Sequence, residues 1–504
     1  MKVLFYHSSA FLAHHLGVLL DEAALMVRNG HQVYFATCDS AMNICFSNNK
    51  GVKAQCKLCK WSTDHALSCL PPQVHRVSLC NYKAEIDHSK DLFTYSSIKD
   101  IKEIEYKGVK VGYSVLSAYI TATRNNDPVF DSTFKKYMDK LLRTSFALTD
   151  SIEKLYSEIQ PDRVCIFNGR FYELRPAYEI AVNRGIDLCC YEVTIGEKDD
   201  FYKVHFDNVM PHSINENLRR IDELWTDSGI SSEIKEQVGK SFFENRRGGK
   251  PAGDTIYTRH QEAGMLPVGW DSTKRNFTIF NSSEDEFMAI GDEYDRLMVF
   301  SSQIEGIKKV LSLCVLDDSI HVYLRVHPNL TGIQYSYHTD LYKLEKEFSN
   351  VTVIPCDSNV SSYTLMDYSE KVIVFGSTMG IESVYWNKPV ILLGASLYNS
   401  VDICYTTKDI AELQKLLLAN LVAKDNSWTI KYGFFVMYHN EHDKYDTVNF
   451  NYTSWNIGNR SIPMPNFQKI FGSQKLYTLV QALMHRLYKL AWTTKGIEFP
   501  TRGR

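Results

Sequence analysis

No apolar run in the 504 residues approaches the roughly 18–20 needed for a membrane-spanning helix, which excludes an ordinary helical membrane protein. The first fifteen residues, MKVLFYHSSAFLAHH, lack the apolar core of a secretory signal because His7, Ser8 and Ser9 interrupt it, so an intracellular chain is expected. A charge surplus is missing too. Fifty-six Lys and Arg stand against 59 Asp and Glu, a net charge of -3, which gives no electrostatic footprint for nucleic acid. Neither a Walker loop nor a GxGxxG fingerprint occurs, so the usual mono- and dinucleotide cradles are excluded. Twelve cysteines in an intracellular chain imply free thiols or a metal before disulfides.

What remains is an ordinary globular composition, 44% hydrophobic and 23% charged, in a chain too long for one core. Two α/β halves are legible. Lys2–Tyr6 reads as a strand, His14–Asn29 carries apolar residues at helical spacing, Gly30 caps it, and His31–Thr37 is a second strand. After a long helical pattern over 132–159 come a strand ending in Asn168-Gly169-Arg170, a helix, and a strand ending at Glu192. The second set begins near Asn276. Strand 277–280 ends in Asn281-Ser282-Ser283, read as the cap of a helix running to about Leu313. Strand 320–326 leads into Arg325-Val326-His327-Pro328, and a helix near 341–348 and a strand at 351–354 follow.

The most informative stretch is VIVFGSTMGIESVYWNKPVILLG from Val372 onward. A strand, the hydroxyl turn Gly376-Ser377-Thr378, a short helix carrying Glu382, and Asn387-Lys388-Pro389 before another strand make a βαβ unit. A helix start with hydroxyl groups favours an anion, most often phosphate. The reading divides the chain into an N-terminal domain over 1–225 with a Cys-rich insertion at 38–80, a linker or mobile loop at 226–272, a C-terminal domain at 273–472, and a terminal helix and tail at 473–504. Residues 246–250, Arg-Arg-Gly-Gly-Lys, read as part of that loop, either solvated or closing over an anion.

The run from Gly380 to Ile391 resembles the donor motif E-A-x-x-x-G-x-P-V-I of GT-B glycosyltransferases, with Asn387 at the usual Gly. Arg325-Val326-His327-Pro328 resembles the His-Pro motif of capsule-polysaccharide transferases, sialyltransferases and teichoic-acid polymerases. Together with Asn168-Gly169-Arg170, the set looks most like bacterial capsule polysaccharide biosynthesis proteins. The resemblance implies two Rossmann-like domains facing across a cleft, with the C-terminal helix packed back on the first. It implies transfer of a sugar from a nucleotide-sugar donor to a surface polysaccharide or lipid-linked glycan, with no catalytic metal.

Donor contacts are then expected from Arg325, His327, Ser377, Thr378 and Glu382, with Ser282 and Ser283 in second rank. Glu382 is expected to take vicinal hydroxyls. Capping roles compete for the serines and Thr378. Acceptor or cleft contacts are expected from Asn168 and Arg170. His15 is the expected base and Glu192 its substitute. Cys38, Cys45, Cys56 and Cys59, the last two in a CxxC, suit a structural zinc, with plain reduced thiols as the alternative. Arg486, Lys489 and Trp492 suit either interdomain packing or a peripheral contact at the inner membrane face. Three other readings stay open: a nucleotide-sugar 2-epimerase, a teichoic-acid-type polyol-phosphate transferase, and a zinc-stapled interaction protein without activity.

Overall fold

The computed structural model describes residues 1–463 apart from 11–12, 43, 86–92, 196–200, 228, 251, 254–255, 443–447, 452–453 and 458–459. The terminal helix read at 474–492 lies outside the described residues. The chain divides into two compact units. One holds Met1–Arg124 and Pro128–His212, and the other holds Ser213–His442 with Asn125–Asp127.

The first unit is built on β1 (Lys2–His7), β2 (Gln32–Thr37), β3 (His75–Ser78), β4 (Arg163–Phe167), β5 (Asp187–Ile195) and β6 (Phe201–Asp207). Their order across the sheet is β3-β2-β1-β4-β5-β6, parallel except for β6 against β5. The second unit is built on β7 (Arg275–Phe280), β8 (Ile320–Arg325), β9 (Val351–Ile354), β10 (Lys371–Val374), β11 (Val390–Leu392) and β12 (Tyr405–Thr406). Its order is β12-β11-β10-β7-β8-β9, all parallel. Counted from each unit's first strand, both sheets run 3-2-1-4-5-6, the Rossmann order, so both units are Rossmann-like. Strands buried on both faces explain the near-continuous apolar runs at 3–6 and 372–374, whose residues are fully shielded from solvent. An antiparallel sheet, β13 (Val448–Asn451), β14 (Ser454–Ile457) and β15 (Arg460–Pro463), groups with the first unit.

The local reading departs from the structure in three places. The presumed linker contains a sixteen-residue helix, Ser232–Arg247, whose N-cap Ser231 accepts a hydrogen bond from Ile234 N. Ile234, Val238 and Phe242 recur at the helical interval, a signal that the Arg- and Gly-rich end of the segment masked. The helix expected from Ser283 onward starts only at Gln303, capped by Ser302. Between them the Glu284 carboxylate turns inward and accepts from Gln303 N at 2.9 Å, which holds the intervening loop against the helix start. Within the Cys-rich stretch, Lys53–Leu67 is a helix rather than irregular chain.

Candidate functional site

In a sheet of Rossmann order, the crevice opens at the carboxyl ends of the strands where the connections diverge, here between β7 and β10. A pocket of about 450 Å³ lies there. The ends of β7, β8 and β10 supply Asn281, Arg325, His327, Ser377 and Thr378. The helix Met379–Tyr385 adds Glu382, the helix Ser362–Tyr368 adds Ser362 and Tyr363, and Arg246, Tyr257 and Thr258 close another wall.

The turn that begins the site has a steric cause. Gly376 sits at φ +91°, and a Cβ there would lie 2.3 Å from the Ala395 carbonyl oxygen. Only glycine lets β10 turn this close to the neighbouring chain. Asn387, the substitute for the family's glycine, adopts φ 58°, the left-handed conformation that Asn tolerates. The helix between them has only seven residues, so its dipole is smaller than the sequence reading assumed. Thr378 stands at its N-cap without a side-chain cap bond, and Met379 N donates to the Ser377 hydroxyl at 3.3 Å.

Arg325 is 2% exposed. Its guanidinium donates to the carbonyls of Pro355 and, at 3.0 Å, Ser358, while Nε has no partner. No carboxylate among the described residues pairs with it. Burial pulls its pKa down to about 10, still far above neutrality. A buried cation with only carbonyl acceptors, lining a pocket, is a site for an anion. His327 complements it. Asn329 N donates to His327 Nδ1 at 3.1 Å, so in the neutral ring the hydrogen sits on Nε2.

Glu382 is 1% exposed and is held by the protein itself. Arg246 Nε donates to one carboxylate oxygen at 3.1 Å, and the Tyr363 hydroxyl donates to the other. Each oxygen accepts one bond from a side chain and keeps a second lone pair for a further donor, and Arg246 lines the pocket beside it. Ser282 and Ser283 do not line the pocket. The Ser282 hydroxyl donates to Phe375 O at 2.8 Å and the Ser283 hydroxyl to Asp285 at 2.6 Å, both as buried braces. Neither side chain caps a helix in the way expected; Ser283 precedes a short 3-10 turn without a side-chain cap bond.

In the first unit, Asn168 and Arg170 follow the end of β4 and meet Glu192, which lies inside β5 because that strand runs on to Ile195 rather than ending at Glu192. Asn168 Nδ2 donates to Glu192 Oε2 at 2.5 Å, and Arg170 N donates to the Asn168 side chain at 3.1 Å. Burial raises the Glu192 carboxyl to about 7, against the opposing pull of the Asn168 bond and the Arg170 charge. His15 instead stacks on the Phe167 ring, centroids 3.7 Å apart. Cys38, Cys45, Cys56 and Cys59 do gather around one pocket. Yet among the described residues no three His, Cys, Asp or Glu side chains are placed to hold one metal ion. Instead, Cys56 accepts from Asn48 Nδ2 at 3.1 Å and Cys59 from Ala10 N at 3.4 Å.

Sequence reading missed Tyr257 and Tyr363, and gave Arg246 only as part of a loop either solvated or closing over an anion. Tyr363 carried no local signal. Arg246 was visible as a basic residue but was placed in a loop, where its partner could not be inferred.

Residues 293–416, which include Arg325, His327, Ser377, Thr378 and Glu382, match the model of the family described as capsule polysaccharide biosynthesis protein. No curated protein matches the chain. Among solved structures, the chain is similar to the β Kdo 2,4 transferase KpsC of Thermosulfurimonas dismutans at 12% identity, over 54% of this chain and 78% of that one, TM-score 0.33. It is similar to the UDP-GlcNAc 2-epimerase from Neisseria meningitidis at 11% identity, over 87% and 98%, TM-score 0.28. The calicheamicin glycosyltransferase CalG4 is similar at 10% identity, over 87% and 94%, TM-score 0.25. Likenesses this distant add no weight to an activity. Among the described residues no helix is long and apolar enough to cross a membrane.

Proposed function

We propose that this chain is a glycosyltransferase of capsule polysaccharide assembly. It takes a sugar from a nucleotide donor held in the second unit and passes it to a glycan or lipid-linked glycan. The observation that carries the reading is the buried Arg325, whose hydrogen bonds among the described residues go only to backbone carbonyls, in a pocket at the Rossmann switch point, inside the segment that matches the family model.

In the transfer, the bond between the sugar's anomeric carbon and a donor phosphate oxygen breaks, and a bond to an acceptor hydroxyl oxygen forms. The nucleotide leaves with the electron pair of the broken bond. Arg325 and the Nε2–H of His327 stabilise the charge that grows on the phosphate, and the hydroxyls of Ser377 and Thr378 add hydrogen bonds. Arg325 is fixed before the substrate arrives, so little reorganisation is needed at the moment of reaction. The reading therefore requires no catalytic metal. Glu382 orients Arg246 on the pocket wall, and Tyr363 locks Glu382. In the first unit, Glu192 takes the proton of the acceptor hydroxyl. A carboxyl near neutrality is strong enough as a base yet not permanently ionised.

The experiment is a thermal-shift series with CMP-, UDP-, GDP- and dTDP-linked sugars. Ligand at about a hundred times its Kd should add about 2.7 kcal/mol to the native state. At least one donor should raise Tm, and Arg325→Gln should abolish the rise. If no nucleotide or nucleotide sugar shifts Tm, the reading is wrong. Release of an epimerised free sugar without any acceptor would replace transfer by the 2-epimerase reaction.

A further inference from the structure

The first unit has a pocket of its own, unused by the donor chemistry. It encloses about 540 Å³ at the carboxyl ends of β1 and β2 and is open to solvent at its mouth. Its floor is His7 and Ser8, at the end of β1, and both are at least 97% buried. The helix Lys53–Leu67 contributes Cys56 and Cys59 to the wall, opposite Cys38 and Cys45.

The floor is short of hydrogen-bond partners in a specific way. His7 Nε2 lies 2.6 Å from the Ser9 carbonyl oxygen. A carbonyl only accepts, so Nε2 carries the ring hydrogen and Nδ1 is a bare acceptor. That Nδ1 has no partner, and neither has the Ser8 hydroxyl. Burial lowers the His7 pKa to about 4, which keeps the ring neutral at physiological pH. Each unpartnered atom costs about 1–3 kcal/mol if left so. Two such atoms on adjacent residues of one pocket floor call for something that fills it.

The chemistry of the filler follows from the lining. It must donate a hydrogen to Nδ1, which a phosphate dianion or a carboxylate cannot do. The charged groups that line the pocket are Asp39, paired with Lys60, and Asp64, so no surplus cation attracts an anion. Burial raises the Cys38 thiol to about 12, so it stands protonated and offers no negative charge to a cation. The remaining polar surface is hydroxyl, amide and imidazole, beside the apolar flanks of Met42 and Ile44. We propose that this pocket binds an uncharged polyhydroxylated ligand of sugar type, one hydroxyl of which donates to His7 Nδ1 while another pairs with Ser8.

The pocket carries its own reporters. Cys56 and Cys59 line it and are half-buried, whereas the exposed Cys80 is not part of the lining. Iodoacetamide labelling of the full chain, followed residue by residue by peptide mass mapping, is run against methyl glycosides of glucose, galactose, mannose and N-acetylglucosamine. At least one glycoside should slow labelling of Cys56 and Cys59 saturably and leave Cys80 unchanged. His7→Phe should raise the half-protecting concentration about tenfold, the worth of one hydrogen bond to a buried acceptor. Ser8→Ala is the milder companion variant, and a parental far-UV circular dichroism spectrum and parental Cys80 labelling rate confirm that each variant is folded. No protection by any glycoside means that ordered water alone fills the floor, and the inference falls. It falls equally if inorganic phosphate protects as well as a glycoside does, or if protection survives both substitutions. The inference stands on the first unit alone. Nucleotide binding reports on the donor pocket and thiol protection on this one, so either can fail without the other.

Discussion

Replacing Glu382 by Gln tests the electrostatic core of the pocket at the strand ends of the second unit. The substitution keeps the shape and removes the charge. At 1% exposure, with Arg246 only 8% exposed, the pair is buried, and water cannot replace the lost carboxylate. Removing one partner of a buried ion pair costs about 3–5 kcal/mol, because the remaining charge is left uncompensated. Gln retains one carbonyl oxygen for Tyr363 but turns its amide hydrogens toward the Arg246 guanidinium, donor against donor. For a unit of this size each kcal/mol moves Tm by about 2–4 °C, so E382Q should lower Tm by roughly 6–20 °C. The decisive companion is Arg246→Met in the same chain. With the cation gone, the amide still accepts from Tyr363 and no buried charge is orphaned, so the double variant should recover most of the loss. Calorimetry of the two single variants, the double variant and the parent closes the cycle. A shift below about 2 °C for E382Q, or a double variant less stable than E382Q, would refute the claim that this pair organises the pocket.

Three further outcomes are expected. Arg325→Gln should weaken nucleotide-sugar binding by about 10- to 100-fold, the value of a charge-assisted bond to phosphate, as read by calorimetric titration; unchanged affinity removes Arg325 from the site. Glu192→Gln should lower kcat with little change in KM. It should also flatten part of the pH dependence of Tm: the folded-state pKa of about 7 lies above the unfolded value, so the native state binds more protons between roughly pH 4.5 and 7 and loses stability as pH rises through that window. A variant whose Tm falls with pH as steeply as the parent's contradicts the assignment. The Tyr342 hydroxyl donates to Cys356 Sγ at 3.6 Å, and against the raising effect of burial this bond and the polar surroundings of His338 and Thr331 draw the thiol pKa down to about 7. Its alkylation rate should therefore reach half its maximum near pH 7, and a midpoint near 9 would show that the thiolate is not stabilised.

Legibility in the sequence followed the range of the forces concerned. The strand Lys371–Val374, the glycine turn and the following helix were readable because each depends on neighbours a few residues away: apolar run, φ-permissive Gly376, and Pro389 restarting a strand. The hydroxyl turn and the His-Pro motif meet in one pocket for the same reason, since parallel strands of Rossmann order bring their carboxyl ends together whatever their loops contain. Legibility ended where a residue's meaning lay in a distant partner. The partners of Glu382 stayed hidden because nothing nearby showed Arg246, 136 residues earlier, or Tyr363 on another helix. The stacking of His15 on Phe167 stayed hidden because it joins a helix to a strand from far along the chain.

By itself, then, the sequence determined two α/β halves, their strand ends, and the residue types gathered in the donor segment. Local conformational preference and apolar periodicity suffice for that. The tertiary structure alone decided which of those side chains face a pocket and which partners they have: Arg325 bonded, among the described residues, only to backbone carbonyls, Glu382 paired with Arg246, and His7 turned so that its bare nitrogen faces the second pocket. Whether a polar group can hold a substrate depends on whether the folded chain has already satisfied it, and that is settled only by contacts between residues far apart in sequence.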